Sequence, residues 1–447
     1  MNEWPTLTLG EVCRQGGGFV RTGPFGGQLH QSDYVDDEAG IPVVMPKDMT
    51  NGRIDLSTIA RIDQATSARL AAHLVTEGDI ILSRRGDVGR SAWVGKADLP
   101  ALCGTGSIRI HPGSAGPLDH SYLRYFMRSR CAIDFLEGQA VGATMPNLNA
   151  GIVQSLPVIV PPIDRQRAAG AILGTIERLI EKNRRQIGLL EQMAQAIYRE
   201  WFVKFRYPGH EHATFVDSPL GPIPSDWRAI ATRDVVASYI GGGWGSETED
   251  STHSVRAAVI RGTDLPKSRI GDLSTVPQRF HKVSNAKSRL LNAGDIVMEV
   301  SGGSNDQPVG RAFLVSESTV RRLGPVLPAS FCKRIVLKTQ LVSPEAFYFD
   351  LLEIYESREI TEFEVQSTGI KNFQFEAFLD KHYVPVPSPT LSEEFVSRVR
   401  PLFELCQDLG ASISALSKIR DMLLPKLVTG QIDVSSLDLD ALLEGVA

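Results

Sequence analysis

The sequence predicts an α+β chain built twice over. It is read as two similar modules, each a twisted β-sheet plus helices, separated by two long helices that form an antiparallel coiled coil. Three observations predict this. The second half repeats the first at a shift of 226 positions, so that Leu190 maps onto Leu416, Ile176 onto Leu402, Ile187 onto Ile413, Met193 onto Ile419 and Ile197 onto Leu423. That period is too long for a solenoid unit of about 20–50 residues, so the duplicated object is a whole domain with its helix. Two regions carry single apolar stripes with steps of three and four. Two others share one pattern of Gly-Asp turn, apolar strand, polar Gly-rich loop, Gly-Arg and a second strand.

In the first module that pattern is EGDIILSRRGDVGRSAWV, Glu77 to Val94, and in the second AGDIVMEVSGGSNDQPVGRAFLV, Ala293 to Val315. A short amphipathic helix follows each (SYLRYFMRS; EAFYFDLLEIYES). After it comes a loop holding Asn147-Leu148 or Asn372-Phe373. Each module closes on an apolar strand that runs into prolines (LPVIVPP; HYVPVPS).

The first helical stripe is Ile172, Ile176, Leu179, Ile187, Leu190, Ala194, Ile197 and Trp201, opening after Pro161-Pro162 with Asp164 as its cap. The second opens at Ser392 and carries Phe395, Val399, Leu402, Cys406, Leu409, Ile413, Leu416, Leu423 and Leu427. Pro425 should kink or end it, and Gly430 is a natural terminator. Roughly 35–40 residues at about 1.5 Å each give helices of about 50–60 Å. A helix of that length with one stripe needs a partner, and its copy has the matching stripe. The first leaves one module and the second must return, so the pair is expected to be antiparallel, with a module at either end. The expected boundaries are 1–160 for the first module, 161–206 for the first helix and 207–224 for a Pro/Gly-rich linker. The second module follows at 225–388, the second helix at 389–433 and an acidic tail at 434–447.

Composition narrows the function. A hydrophobic share of 42% suits a soluble globular protein, and no run of 18 apolar residues offers a membrane span. MNEWPTLTLGEV lacks the basic and apolar regions of a signal peptide, so a cytoplasmic location is expected. The five cysteines form no C-x-x-C pair, which fits a reducing compartment. A net charge of −5 means that any DNA surface is a local patch or is completed by a partner. No phosphate-cradling G-x-x-x-x-G-K-[ST] loop, G-x-S-x-G elbow or H-E-x-x-H helix occurs, nor the N-P-P-[FYW] or D-P-P-[FYW] tetrapeptide of amino-methyltransferases. The histidines have no metal-ligand spacing. GGGWG, Gly241 to Gly245, lacks a clear preceding strand, a following helix and a ribose-binding acid, so it reads as a turn-rich loop. These absences favour a binding protein over a catalyst, with no catalytic residue, metal site or cofactor in this chain.

Candidate DNA-contacting residues sit in the Gly-rich loops and in the later Asn-bearing loops. In the first module they are Arg84, Arg85, Arg90, Thr144, Asn147 and Asn149. In the second they are Ser304, Asn305, Gln307, Arg311, Lys371, Asn372 and Gln374. Arginine's planar fork matches phosphate and guanine edges, and side-chain amides match adenine. The bland alternative is that these arginines are solvated charges and the asparagines turn formers. The helices match between copies while the loops differ, as expected if a common spacer carries modules that read different sequences.

Together these features resemble the specificity subunit of type I restriction-modification systems, over essentially the whole chain. The resemblance rests on the duplicated layout, on MAQAIYREWFVKFRYPGHE, DSPLGPIPSDW and LPVIVPPIDRQR, and on SKIRDMLLPKLVTGQIDV. One departure is Arg165-Gln166 where the family often has a Glu-Gln pair. The resemblance implies that each module is a target recognition domain reading half of a bipartite double-stranded DNA target, with the helices as conserved spacers. It implies partnership with two adenine-N6 methyltransferase subunits and with restriction subunits. S-adenosylmethionine, ATP and magnesium would belong to those partners. Two other classes stay open: a coiled-coil scaffold or regulator that binds only protein, and a DNA methyltransferase with unrecognised motifs.

Overall fold

The computed structural model describes residues 4–142, 145–302, 307–367, 370–432 and 434. Two long helices dominate the sequence map: α1, Ile163–Tyr198, and α2, Pro389–Val428. Every residue of the two predicted stripes is buried or half-buried. The helix starts differ from expectation. Asp164 lies inside the first turn of α1, because Pro162 offers its carbonyl to the Arg165 and Gln166 amides. α2 opens at Pro389 rather than Ser392, since proline suits a first helical position. It runs through Pro425 to Val428, and Gly430 at φ +74 follows its end. α1 continues into a π-helical turn, Arg199–Val203.

The chain divides into two units. One comprises residues 1–179 and 417–447, the other 180–416. In the first unit the central sheet is antiparallel, with strands β1 Gly17–Thr22, β2 Ile80–Ser83, β3 Ser91–Trp93 and β4 Ser107–Gly113 in the order β1-β4-β2-β3. The first strand, Thr6–Thr8, pairs antiparallel with the last, Pro157–Ile159, and Ile41–Val44 pairs parallel with Leu102–Cys103. The core gathers Ile80, Leu82, Ile108, Tyr122 and Phe126. Ala168, Ala169 and Leu173 of α1 join it, as do Leu427 and Val428 of α2. Tyr122 clamps that end by donating its hydroxyl to the Ile159 and Val428 carbonyls at 3.0 and 3.2 Å.

The second unit repeats this plan. Strands β5 Val236–Gly241, β6 Ile296–Glu299, β7 Ala312–Leu314 and β8 Cys332–Leu337 run in the order β5-β8-β6-β7, also antiparallel. Arg228–Ala231 pairs antiparallel with Tyr383–Val386, and Val255–Ile260 parallel with Val326–Pro328. All four residues of β2 and all four of β6 are buried, so burial does not alternate along these central strands, each an apolar triplet ending on a buried polar residue, Ser83 or Glu299. Gly78 and Gly294 precede them at φ +87 and +90, a left-handed turn that glycine makes without steric cost. Within this unit the helices run antiparallel. Asn183 donates to Ser412 at 3.2 Å, and Tyr198 meets Phe395 at 6.1 Å between ring centroids, so one helix descends as the other rises.

Sheet content is thus divided among several small sheets in each unit rather than one. The predicted linker holds a β-hairpin, Phe215–Ser218 with Gly221–Pro224. GGGWG does have a preceding strand, β5, and no helix follows it. The acidic tail from Ser435 lies outside the described residues.

Candidate nucleic-acid interface

In the first unit the backbone leaves β2 at Ser83 and lies against the later Asn-bearing loop. Arg85 and Asn147 form an antiparallel bridge. The Leu148 amide donates to the Arg84 carbonyl at 2.8 Å and the Gly86 amide to the Pro146 carbonyl at 3.1 Å. Two loops about 60 residues apart in sequence therefore share one edge. Arg84 is half-buried: its Nε donates to the Leu148 carbonyl at 3.2 Å and its guanidinium lies 6.0 Å from the Phe25 ring centroid. Arg85 is exposed. Arg90 pairs with Asp87 at 2.9 Å and donates to the Pro46 carbonyl. Asn147 is half-buried, and its Oδ1 is buried without a hydrogen-bond partner, so its side-chain oxygen is left unsatisfied at the bridge. Asn149 caps the helix Ala150–Gln154 by accepting the Ile152 amide at 2.9 Å, a role already sufficient for an asparagine there.

The second unit makes the same juxtaposition with different side chains. Ser301 pairs with Asn372 and Gly302 with Lys371, while the Phe373 amide donates to the Val300 carbonyl at 2.9 Å. Asn372 lies on a strand, Ile370–Phe373, not in a loop, because it gains a second neighbour in Glu364–Ser367. Its Oδ1 accepts the Ser301 hydroxyl at 2.9 Å. Lys371 pairs with Glu364 at 3.1 Å. Arg311 is held by both oxygens of buried Glu299, at 2.8 and 2.6 Å, and those bonds keep it protonated more firmly than usual. Gln307 is exposed and lines a cavity of about 390 Å³ with Arg311, Leu265 and Arg269. Gln374 is exposed and precedes the helix Phe375–Lys381 without capping it through its side chain. Thr144, Ser304 and Asn305 lie outside the described residues.

The structure therefore brings Arg84, Arg85 and Asn147 together, and likewise Lys371 and Asn372 with Ser301. It commits Arg90, Arg311 and Lys371 to carboxylates of their own unit. Ser301 was not singled out from sequence, although its place one residue after the Val300 counterpart of Arg84 could have revealed it. Among the described residues no cluster of His, Cys, Asp or Glu could hold a metal ion. No helix there is long and apolar enough to cross a membrane.

Residues 1–192 match the family model described as the type I restriction modification DNA specificity domain. That match spans the first module and most of α1. Over most of its length the chain is similar to type I restriction enzyme specificity subunits. It is similar to the type I restriction enzyme MjaIX specificity subunit of Methanocaldococcus jannaschii, at 24% identity over 399 residues, covering 89% of this chain and 88% of that one. The MjaVIII specificity subunit of the same organism is 22% identical over 373 residues, covering 82% and 81%. In fold it resembles the crystal structure of the type I restriction-modification S subunit from M. genitalium. The TM-score there is 0.58 and the identity 14%, covering 96% of this chain and 97% of the other.

Proposed function

We propose that this chain is the specificity subunit of a type I restriction-modification system and that each of its modules reads one half of a bipartite double-stranded DNA target. The observation that carries the reading is the repeated pairing of Arg85 with Asn147 and of Ser301 with Asn372. One backbone scaffold presents two different sets of polar side chains, which is what reading two different half-sites requires. Arg84, Arg85 and Asn147 serve the first half-site; Asn372, Gln374 and Gln307 serve the second, with Thr144, Ser304 and Asn305 as further contacts. Arg90, Asn149, Arg311 and Lys371 act mainly by holding those loops in shape.

The chain itself is non-catalytic in this reading. It positions two adenine-N6 methyltransferase subunits and the restriction subunits, and S-adenosylmethionine, ATP and magnesium bind to those partners in the cytoplasm. A net charge of −5 supports a division of labour in which partner subunits supply much of the phosphate attraction.

Co-expression with the methyltransferase subunit in a host lacking adenine methylation, followed by mapping of modified adenines, tests the proposal. A split adenine motif is expected. An unsplit motif, or none, overturns it. The purified chain, given S-adenosylmethionine and DNA, should show no turnover.

A further inference from the structure

Both units carry a second shared feature, apart from the Asn-bearing loops. β1 and β5 each end in a glycine-rich turn, TGPFGGQ and GGGWGSE. The registers of the two sheets align these turns. Thr22 pairs with Ile108 and Gly241 with Lys333, so Phe25 and Trp244 stand at the same place, three residues past those strand ends. The backbone agrees. Gly23 donates to the Ser107 carbonyl at 2.9 Å, and Gly242 donates to its counterpart, the Cys332 carbonyl, at 2.9 Å. A Cβ on Gly23 would overlap the Gly104 carbonyl oxygen, and one on Gly242 the equivalent Ala329 carbonyl oxygen, so both turns need glycine for this close approach.

Each turn then exposes one large aromatic. Phe25 is 62% exposed and Trp244 37%. Each lies beside an arginine: Arg84 at 6.0 Å from the Phe25 centroid, Arg279 at 4.5 Å from that of Trp244. Neither turn is loose. The Phe25 amide donates to Gln28 Oε1 at 3.0 Å and the Gln28 amide returns to the Phe25 carbonyl at 2.8 Å. The Gly243 amide donates to the Pro328 carbonyl at 3.0 Å, and Ser246 exchanges backbone bonds with Phe280. A lone exposed aromatic needs no explanation. Two at equivalent positions of a duplicated module whose other loop residues have diverged do need one, and core packing does not supply it.

We propose that Phe25 and Trp244 are equivalent base-contacting residues, one for each half-site, adding an aromatic contact to the polar reading by the Asn-bearing loops. The assignment rests on the bipartite reading above. A pre-ordered aromatic ring loses little conformational entropy on binding. It reaches DNA through a thymine methyl in the major groove or by wedging against a base step, both of which discriminate sequence without adding charge.

The test uses the full chain assembled with its methyltransferase subunits and a pool of random-sequence duplex DNA, with bound duplexes sequenced. Phe25→Ala should weaken binding about 5- to 150-fold and make one position of one half-site degenerate, leaving the other half-site intact. Trp244→Ala should do the converse. Phe25→Trp and Trp244→Phe should restore most of the affinity, which a folding defect in the alanine variants would not prevent from being seen. The salt dependence of binding should not change, since no phosphate contact is lost. Unaltered consensus and affinity in both alanine variants overturns the assignment. So does uniform weakening across sequences with a flatter salt slope. A parent complex that selects no sequence at all overturns the bipartite reading itself, a distinguishable result.

Discussion

Arg109 Nε donates to Asp79 Oδ2 at 2.6 Å, joining β4 to the Gly-Asp turn that launches β2. Arg334 makes the same bond to Asp295 at 2.7 Å in the second unit. Both aspartates also accept a turn amide at 2.7 Å, Thr76 for Asp79 and Asn292 for Asp295. The central strand of each sheet therefore starts from a carboxylate fixed by both its own turn and its neighbour strand, and the loop that begins with Arg84 or its counterpart Val300 leaves that strand's other end.

Breaking one of these pairs leaves a buried charge uncompensated, which costs about 3–5 kcal/mol. Asp295→Ala should lose about that much in denaturant unfolding of the full chain. Adding Arg334→Leu should recover a good part of it, because the orphaned guanidinium is removed. A loss below about 1 kcal/mol for the single variant would show that the pair does not hold the turn.

Acid should loosen the junction between α1 and the first unit's short helix His120–Phe126. Burial pushes the Glu177 carboxyl up, but Arg128 and Arg124 outweigh it, and the net effect holds Glu177 below its ordinary value of 4.5. Tyr125 adds a hydrogen bond at 3.1 Å. A depressed carboxylate contributes stability that is complete above about pH 4.5 and is lost as pH falls through the folded-state value. Glu177→Gln should therefore be less stable than the parent at pH 7 and should lose less on acidification. Parallel stability curves for the two proteins below pH 4.5 would refute this.

Much of this architecture was legible because periodicity reports burial directly. The stripe from Ile172 sits on the 36-residue α1 and ends with Trp201 in the π-helical turn that follows it, and the stripe from Phe395 to Leu427 sits on the 40-residue α2. The Gly-Asp turns and closing strands were also plain, since φ-positive glycines and prolines mark chain reversals. The site was less legible because its geometry depends on long-range pairing. Nothing local to Arg311 announces Glu299, and nothing local to Asn149 separates a cap from a DNA contact. Asn372 read as a loop residue because the strand partner that extends it, Glu364–Ser367, has no strong apolar alternation of its own.

Asn149 and Arg311 should accordingly behave as structural residues. Asn149→Ala removes a helix cap and should cost about 1 kcal/mol. Arg311→Ala strands buried Glu299 and should cost about 3–5 kcal/mol. Neither should change which bases the assembled complex selects at temperatures where it stays folded. A shifted consensus in either variant would return that residue to the DNA surface.

Thiol chemistry should be confined to one position. Burial pushes Cys13, Cys103, Cys332 and Cys406 up to about 12, so almost none of each is thiolate at neutral pH. Cys131 is exposed. An aromatic disulfide reagent should modify one equivalent quickly and the remaining four only on unfolding, and Cys131→Ser should abolish the fast phase. Two or more fast equivalents in the parent would mean that a buried thiol is reached in the native state.

The arginines of the first Gly-rich loop should separate by what already holds them. Arg85 is exposed, Arg84 is anchored through Leu148, and Arg90 is paired with Asp87. Arg85→Ala should therefore weaken DNA binding by the assembled methyltransferase most, and Arg90→Ala least. A lost paired contact to guanine costs about 1–3 kcal/mol and relaxes one position, whereas a lost phosphate contact weakens all sequences and flattens the salt slope by about one. Titration of each variant against a duplex carrying the parent motif, at several salt concentrations, distinguishes these. Because Asn147 is bridged to Arg85, Asn147→Ala should relax the same half-site. If Arg84→Ala, Arg85→Ala and Arg90→Ala all bind and modify DNA like the parent, this loop does not face the DNA.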